Sequence, residues 1–198
     1  MLVVNPSFPA QDMAAFIKLL KASPGKYSFG SSGNGGLSHM NGELFMSVTG
    51  TKMLHVPYKG LGPALNDAMA GQIQVVFDNI PSSSGLIQGA KLRPLAVAAK
   101  HRLKMLPNVP TYAEAGLPAM NNPSWFGLGA PAGTPPAILD KINAAVKQVL
   151  AEPEGVDAIE KQGALPAYTT RKAFADLIRE QNQHWKKVVE DIHFAKLQ

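Results

Sequence analysis

Short apolar runs alternate with stretches of helical spacing through the first half of the chain, the order expected of a sheet covered by helices on its faces. Leu2–Asn5 predicts a first strand. Pro9 and Asp12 open a helix through Leu20, with Phe16, Leu19 and Leu20 turned inward, and Ser23-Pro24-Gly25 ends it. Tyr27–Gly30 predicts the second strand. It runs into Ser31-Ser32-Gly33-Asn34-Gly35-Gly36, after which Leu37, Met40, Leu44 and Val48 recur at helical spacing. Met53–Val56, Ile73–Phe77 and Leu92–Ala98 complete five strands, with a helix from Pro63 to Met69 and a short Ser-rich helix ahead of the last. Residues 1–99 therefore read as one α/β domain with a mostly parallel sheet.

Beyond it the pattern changes. Lys100–Pro110 is a basic, proline-bounded connector, and Thr111-Tyr112-Ala113-Glu114 has the form of a capping box on a short helix stopped by Gly116. Trp125–Ala130 predicts a strand and Leu165–Tyr168 a short extended piece. Thr134-Pro135 caps and starts a helix through about Leu150, Pro153 starts another to Gln162, and Arg171 to about Asp191 is a long charged helix. Three stretches result: 1–99, a connector over 100–123, and 124–198. The last is rich in helix and poor in strand. Its apolar positions Ile138, Ile142, Val146 and Val149 lack a sheet to cover, which predicts a dimer or swapped assembly for a 198-residue species.

Composition narrows the chemistry. With 198 residues, 45% apolar and 17% charged, the chain can bury a core and is too apolar for disorder. A net charge of +5 spread over both halves gives no basic arm and no case for nucleic acid. The absence of cysteine excludes disulfides, thiolate metal sites and a Cys nucleophile. The histidines lack metal-ligand spacing, and the Gly-rich turn is neither a P-loop nor GxGxxG, so no metal and no cofactor is expected. No run is long enough to span a membrane, and the first basic residue is Lys18, which predicts a soluble chain without a charged leader at this start.

Ligands of open α/β sheets lie beyond the carboxyl ends of the strands, so Ser31–Gly36, Pro57–Gly60 and Asp78-Asn79 are expected at one edge. A Gly-rich turn leading into a helix offers backbone N–H groups and a positive dipole end to a carboxylate or phosphate. A purely structural turn is the competing reading. His39, one turn into the helix, is expected to bond a ligand anion or to cap a neighbouring loop, whereas His55, inside a strand, is expected to pack. Asp78 and Asn79 serve a ligand or their own Asx-turn. Tyr58-Lys59 holds a second anion group or is a turn with a solvated lysine, and Trp125 with Phe126 forms an apolar wall or core. Ser31, Ser32 and Ser38 near His39 invite a hydrolase reading, but there is no G-x-S-x-G elbow and no acid to orient the base. No catalytic residue is expected: a cleft with donors and no nucleophile binds without reacting.

In series, Leu2-Val3-Val4-Asn5-Pro6, Tyr27-Ser28-Phe29-Gly30-Ser31-Ser32-Gly33-Asn34-Gly35, His39 with Gly42-Glu43-Leu44-Phe45, His55-Val56-Pro57-Tyr58-Lys59-Gly60, Val76-Phe77-Asp78-Asn79, Leu106-Pro107-Asn108-Val109-Pro110-Thr111, Glu114-Ala115-Gly116-Leu117-Pro118 and Ser124-Trp125-Phe126-Gly127 resemble the Bug-type solute-binding proteins of tripartite tricarboxylate transporters. The resemblance implies a type II periplasmic-binding-protein-like lobe with a mostly parallel sheet over 1–99, followed by an incomplete, helix-rich remainder of the other lobe. It implies a periplasmic receptor, not an enzyme, that takes a small organic carboxylate and delivers it to a membrane permease. Carried over by position, Ser32, Gly33, Asn34, Gly35, Gly36, His39, Tyr58, Asp78 and Asn79 correspond to ligand-facing loops, and Trp125 to a cleft wall or hinge. Gly36 departs from the Thr or Ser often found there, so a side-chain donor is lost. The family's opening segment, with a signal peptide, a first strand and a Pro/Gly-rich loop, is expected ahead of Met1. Two alternatives stand beside this one: a non-binding relic or interaction protein of the same fold, and a small hydrolase using Ser32 or Ser38.

Overall fold

In the computed structural model, which describes residues 1–192 and 194, the apolar runs of the first half become five strands of one sheet. Residues 193 and 195–198, the end of the stretch expected over 124–198, lie outside the described residues. The strands are β1 (Leu2–Val4), β2 (Ser28–Ser31), β3 (Leu54–Pro57), β4 (Val75–Phe77) and β5 (Arg93–Ala96). Between them lie α1 (Met13–Ala22), α2 (Leu37–Thr49), α3 (Leu61–Met69) and α4 (Ile80–Gln88). The sheet order is β3-β2-β4-β1-β5. β2 is parallel to β3 and β4, while β1 is antiparallel to β4 and β5, so four strands point one way and β1 opposes them.

Alternation along the strands divides the core in two. On one face Val3 and Val76, paired across β1 and β4, pack with Ala64, Leu65, Ala68 and Ile73 from α3 and its exit, and with Leu92. On the other, Leu2 and Phe77 pair beneath an aromatic chain in which Phe8, Phe16, Phe45 and Phe77 follow each other at 5.6–5.7 Å between centroids. Both faces are covered, as parallel sheets require.

Two glycines set how closely the helices lie. A Cβ at Gly30 in β2 would meet Ile73 Cδ1 at 2.5 Å and Ala64 Cβ at 3.1 Å, so the strand admits α3 only as glycine. A Cβ at Gly42 in α2 would stand 2.2 Å from the fully buried Phe29 ring of β2. Asp12 caps α1, its side chain accepting from Ala15 N at 2.8 Å as the sequence indicated. Arg93 donates to the carbonyls of Pro6, Phe8 and Ala10, tying the β1–α1 loop to the edge strand β5.

The described chain divides into two compact units, Met1–Ser124 with Asp191 onward, and Trp125–Glu190. In the first, Leu103, Leu106 and Val109 pack with Val97 and Ala99. Thr111 and Glu114 make both bonds of a capping box, Thr111 N to Glu114 Oε2 at 2.8 Å and Glu114 N to Thr111 Oγ1 at 3.1 Å. They close turns rather than the expected helix, because Gly116 at φ +79 ends the segment before a further turn is made. The second unit holds α5 (Pro136–Val149), α6 (Pro153–Lys161) and the part of α7 (Arg171–Asp191) up to Glu190. Trp125–Ala130 is not the strand expected: no other strand lies among this unit's described residues, so no ladder partner exists for it. Gly127 instead runs under the ring of Phe174, which also takes Trp125 edge-on at 5.1 Å. Leu165–Tyr168 is likewise irregular, with the Tyr168 hydroxyl donating to Asn143. Thr134 does not cap α5; its hydroxyl donates to Pro131 O, and α5 starts without a side-chain cap. No residue of α5 or α6 is buried, and Ile138, Ile142 and Val149 are exposed as the sequence indicated.

Gly42→Ala gains about 1 kcal/mol of helix propensity, but overpacking a sealed core costs about 1–3 kcal/mol. Thermal and urea denaturation are expected to show a net loss, with Gly62→Ala in α3, where a Cβ meets nothing within 4 Å, as the control that keeps the propensity gain without a packing cost.

Candidate functional site

The carboxyl ends of β3, β2 and β4 lie side by side, and each feeds a helix: β2 into α2, β3 into α3, β4 into α4. The loops touch. Tyr58 N donates to Ser31 O at 3.0 Å and Gly60 N to Ser32 O at 3.2 Å, which joins Pro57–Gly60 to the Gly-rich turn. Asp78 and Asn79 follow β4 on the other side of β2. The sequence-predicted loops are therefore brought to one edge, with Trp125 and Phe126 in the other unit, 41% and 72% exposed.

The Gly-rich turn satisfies most of its own amides. Ser32 N donates to Ser38 Oγ at 2.8 Å, Gly33 N to Ser31 Oγ at 3.2 Å, Gly35 N to His39 Nδ1 at 3.1 Å and Gly36 N to Gly33 O at 3.3 Å. This reverses the usual cap. Side chains from the first turn of α2, Ser38 and His39, serve the amides of the preceding loop, while the N-cap residue Gly36 has no side chain to serve the helix. The opening of α2 thus carries no cap from its own N-cap residue. α3 likewise begins at Gly60, φ +104, without a side-chain cap. α4 differs: Asn79 Oδ1 accepts from Ser82 N, so its N-terminus is closed by its own loop.

Below the turn sits a stack of rings. Phe29 and His55 are cross-strand partners 4.9 Å apart, and His39 lies on His55 at 3.6 Å and 13°. Phe194 meets His39 edge-on at 4.9 Å. Ser31 Oγ is 2.6 Å from His55 Nε2, and His39 Nε2 faces Glu43 Oε1 at 3.5 Å. Burial lowers His55 to about 4, with the neighbouring His39 adding to the effect. Burial also lowers His39, against the pull of Glu43. Two neutral imidazoles stack; two cations would repel.

The Tyr58 hydroxyl donates to Asp67 Oδ2 at 2.7 Å, and burial with that bond pushes it up to about 12. Lys59 is exposed. Asp78 is buried, its Oδ1 accepting from Asn79 N at 2.7 Å, while Oδ2 is buried without a hydrogen-bond partner; burial raises its carboxyl above the ordinary value. Ser32 and Ser38 bond to each other at 3.0 Å, and the serine that meets a histidine is Ser31, fully buried. Glu43 and Asp67 escaped sequence reasoning; Glu43, four residues after His39 on the same helix face, carried the legible signal.

The family profile described as the tripartite tricarboxylate transporter family receptor matches residues 1–194. The protein BugT of Bordetella pertussis is 34% identical over 190 residues, 96% of this chain. The chain spans 56% and 58% of the length of two curated relatives it matches. A solved structure described as a periplasmic transporter is 46% identical with a TM-score of 0.92, covering 96% of this chain and 63% of that one. An R. palustris protein solved with adipate is 34% identical with a TM-score of 0.94, covering 100% and 66%.

Unfolded, the His55 imidazole titrates near 6.5; folded, near 4. Its native environment therefore contributes fully above about pH 6.5, and that contribution falls as the pH drops toward 4. The melting temperature is expected to decline over this window, and His55→Gln, which does not titrate, is expected to flatten the decline.

Proposed function

The chain belongs to the tripartite tricarboxylate transporter receptor family, and on that footing we propose that it is a periplasmic solute-binding receptor which captures a small organic carboxylate and passes it to a membrane permease. The observation that carries the reading is the pair of helices, α2 and α3, that open without side-chain caps at the ends of adjoining strands. Uncapped N–H groups at a positive dipole end are what a carboxylate seeks. Members of this family are periplasmic receptors, and the adipate held by the R. palustris relative is a dicarboxylate.

Magnitudes set how many groups must act together. One helix terminus contributes about 0.3–1 kcal/mol and a charge-assisted hydrogen bond about 1.5–3 kcal/mol, against about 8 kcal/mol for micromolar affinity. A single helix end is too weak. Both helix openings, with Ser32, Gly33, Asn34, Gly35 and Gly36 of the turn, Tyr58 ahead of α3, and Asp78 and Asn79 at the end of β4, form the proposed ligand-facing set, and His39 stands behind the turn, bonded to Gly35. Water or a backbone N–H replaces the donor that Gly36 lacks. The fully buried Ser31 and the mutual bond of Ser32 and Ser38 favour binding over hydrolysis. The exposed apolar positions Ile138, Ile142 and Val149 support self-association of the 198-residue species.

Calorimetry is expected to show adipate binding while a neutral sugar and a cationic amine do not; a sugar bound as tightly as adipate overturns the reading. Gly35, at φ +71, cannot become valine without strain, so Gly35→Val is expected to abolish adipate binding and lower the melting temperature. Sedimentation at micromolar concentration is expected to show a dimer, and a monodisperse monomer counts against the assembly.

A further inference from the structure

His39 has both ring nitrogens committed inside the protein. Nδ1 accepts the Gly35 N–H at 3.1 Å, and Nε2 faces Glu43 Oε1 at 3.5 Å. An acceptor Nδ1 requires the neutral tautomer with its proton on Nε2, which then points at Glu43. One face of the ring is covered by His55 at 3.6 Å, and Phe194 meets it edge-on. Only 8% of the residue is exposed. Resting on the receptor reading above, we propose that His39 is a positioning residue: it holds Gly35, and through it the loop that opens α2, in the shape that receives the carboxylate, and does not itself touch the ligand.

The mechanism follows from the position. Gly35 stands at φ +71 immediately before the N-cap residue Gly36, and His39 is the third residue of the helix. A side chain there normally reaches back to the N-cap amide, as glutamate does in a capping box. The imidazole reaches one residue further and fastens a glycine that has no side chain to hold its own conformation. Without the bond, Gly35 regains the freedom of a glycine, and the loop must be ordered anew by the ligand at a cost in affinity.

The assignment reverses the sign expected of a histidine beside an anion. A histidine touching the carboxylate would bind it more tightly when protonated. Here protonation turns Nδ1 from acceptor to donor and sets it against the Gly35 N–H, so acid weakens binding. The titratable groups facing His39 are Glu43 on α2, which favours the cation, and His55 on β3, whose stacked ring opposes it. Burial moves the balance towards the neutral ring.

Two isosteres separate the roles in the full chain. Asparagine places its amide oxygen where Nδ1 stands; glutamine places its amide near Nε2. His39→Asn is expected to keep adipate affinity within about twofold, and His39→Gln to lose about tenfold, the value of one hydrogen bond at the upper end of its range. Because burial lowers His39 below its ordinary 6.5, adipate affinity is expected to fall as the pH drops below about 6.5 in the parent more than in His39→Asn, a comparison that cancels titration of adipate itself. Nitrogen-15 spectroscopy of the free protein is expected to report Nδ1 as the unprotonated nitrogen, coupled across the hydrogen bond to the Gly35 amide. Glutamine matching the parent while asparagine fails, or affinity rising in acid in the parent alone, overturns the inference and leaves the receptor reading standing. If adipate and every other carboxylate tried fail to bind, the receptor reading falls, and the Gly35–Nδ1 coupling still decides whether the bond exists.

Discussion

The geometry of the loop edge depends on how closely α2 lies on β2. Gly42 lets the helix settle onto the ring of Phe29, and that ring is also the floor on which His55 and then His39 are stacked. A core contact in the middle of the helix thereby fixes the height of its first turn, several residues away, relative to the strand it follows. The polar bonds of the turn operate at distances near 3 Å, where a displacement of half an ångström removes most of their value. Apolar packing of a helix with no acidic residue in its first turn is thus the condition for polar precision at its end.

Much of the first unit was legible because its strands and helices alternate with distinct periods and its breaks fall on Gly and Pro. The strand positions shifted by a residue or two at their ends, Tyr27–Gly30 becoming Ser28–Ser31, because ladder pairing rather than composition sets where a strand stops. The segment after Ser124 was less legible. Trp125–Ala130 has the composition of a strand, but strand formation is a property of two segments, and composition describes only one. The Thr111 and Glu114 box shows the complementary limit: both local bonds form, yet capping bonds alone do not propagate a helix.

Within the site, the sequence located the loops and left the use of their groups open. It could not show that the turn's amides are satisfied from within, because Ser32–Ser38 and Gly35–His39 pair across a turn whose path depends on Gly33 and Gly35 at positive φ. It could not show the contact of Ser31 with His55 either, which needs the parallel register of β2 and β3. Parity alone puts Phe29 and Ser31 on one face, and the pairing of Phe29 with His55 then brings the imidazole beside both. The result is a loop already ordered before any ligand arrives, which spares binding the entropy of ordering it.

The reversed direction of β1 has a consequence for how the sheet assembles. β4 and β5 are joined only through β1, which precedes both and lies between them. Until Leu2–Val4 enters that slot, β5 shares no ladder with the rest, and the strands β3, β2 and β4 can pair among themselves without it. The earliest strand of the described chain therefore pairs with β4 on one side and receives the latest strand, β5, on the other. Pairing β5 with β1 closes a loop that runs through every other strand of the sheet, and the β5-facing side of β1 stays an open edge until Arg93–Ala96 is in place.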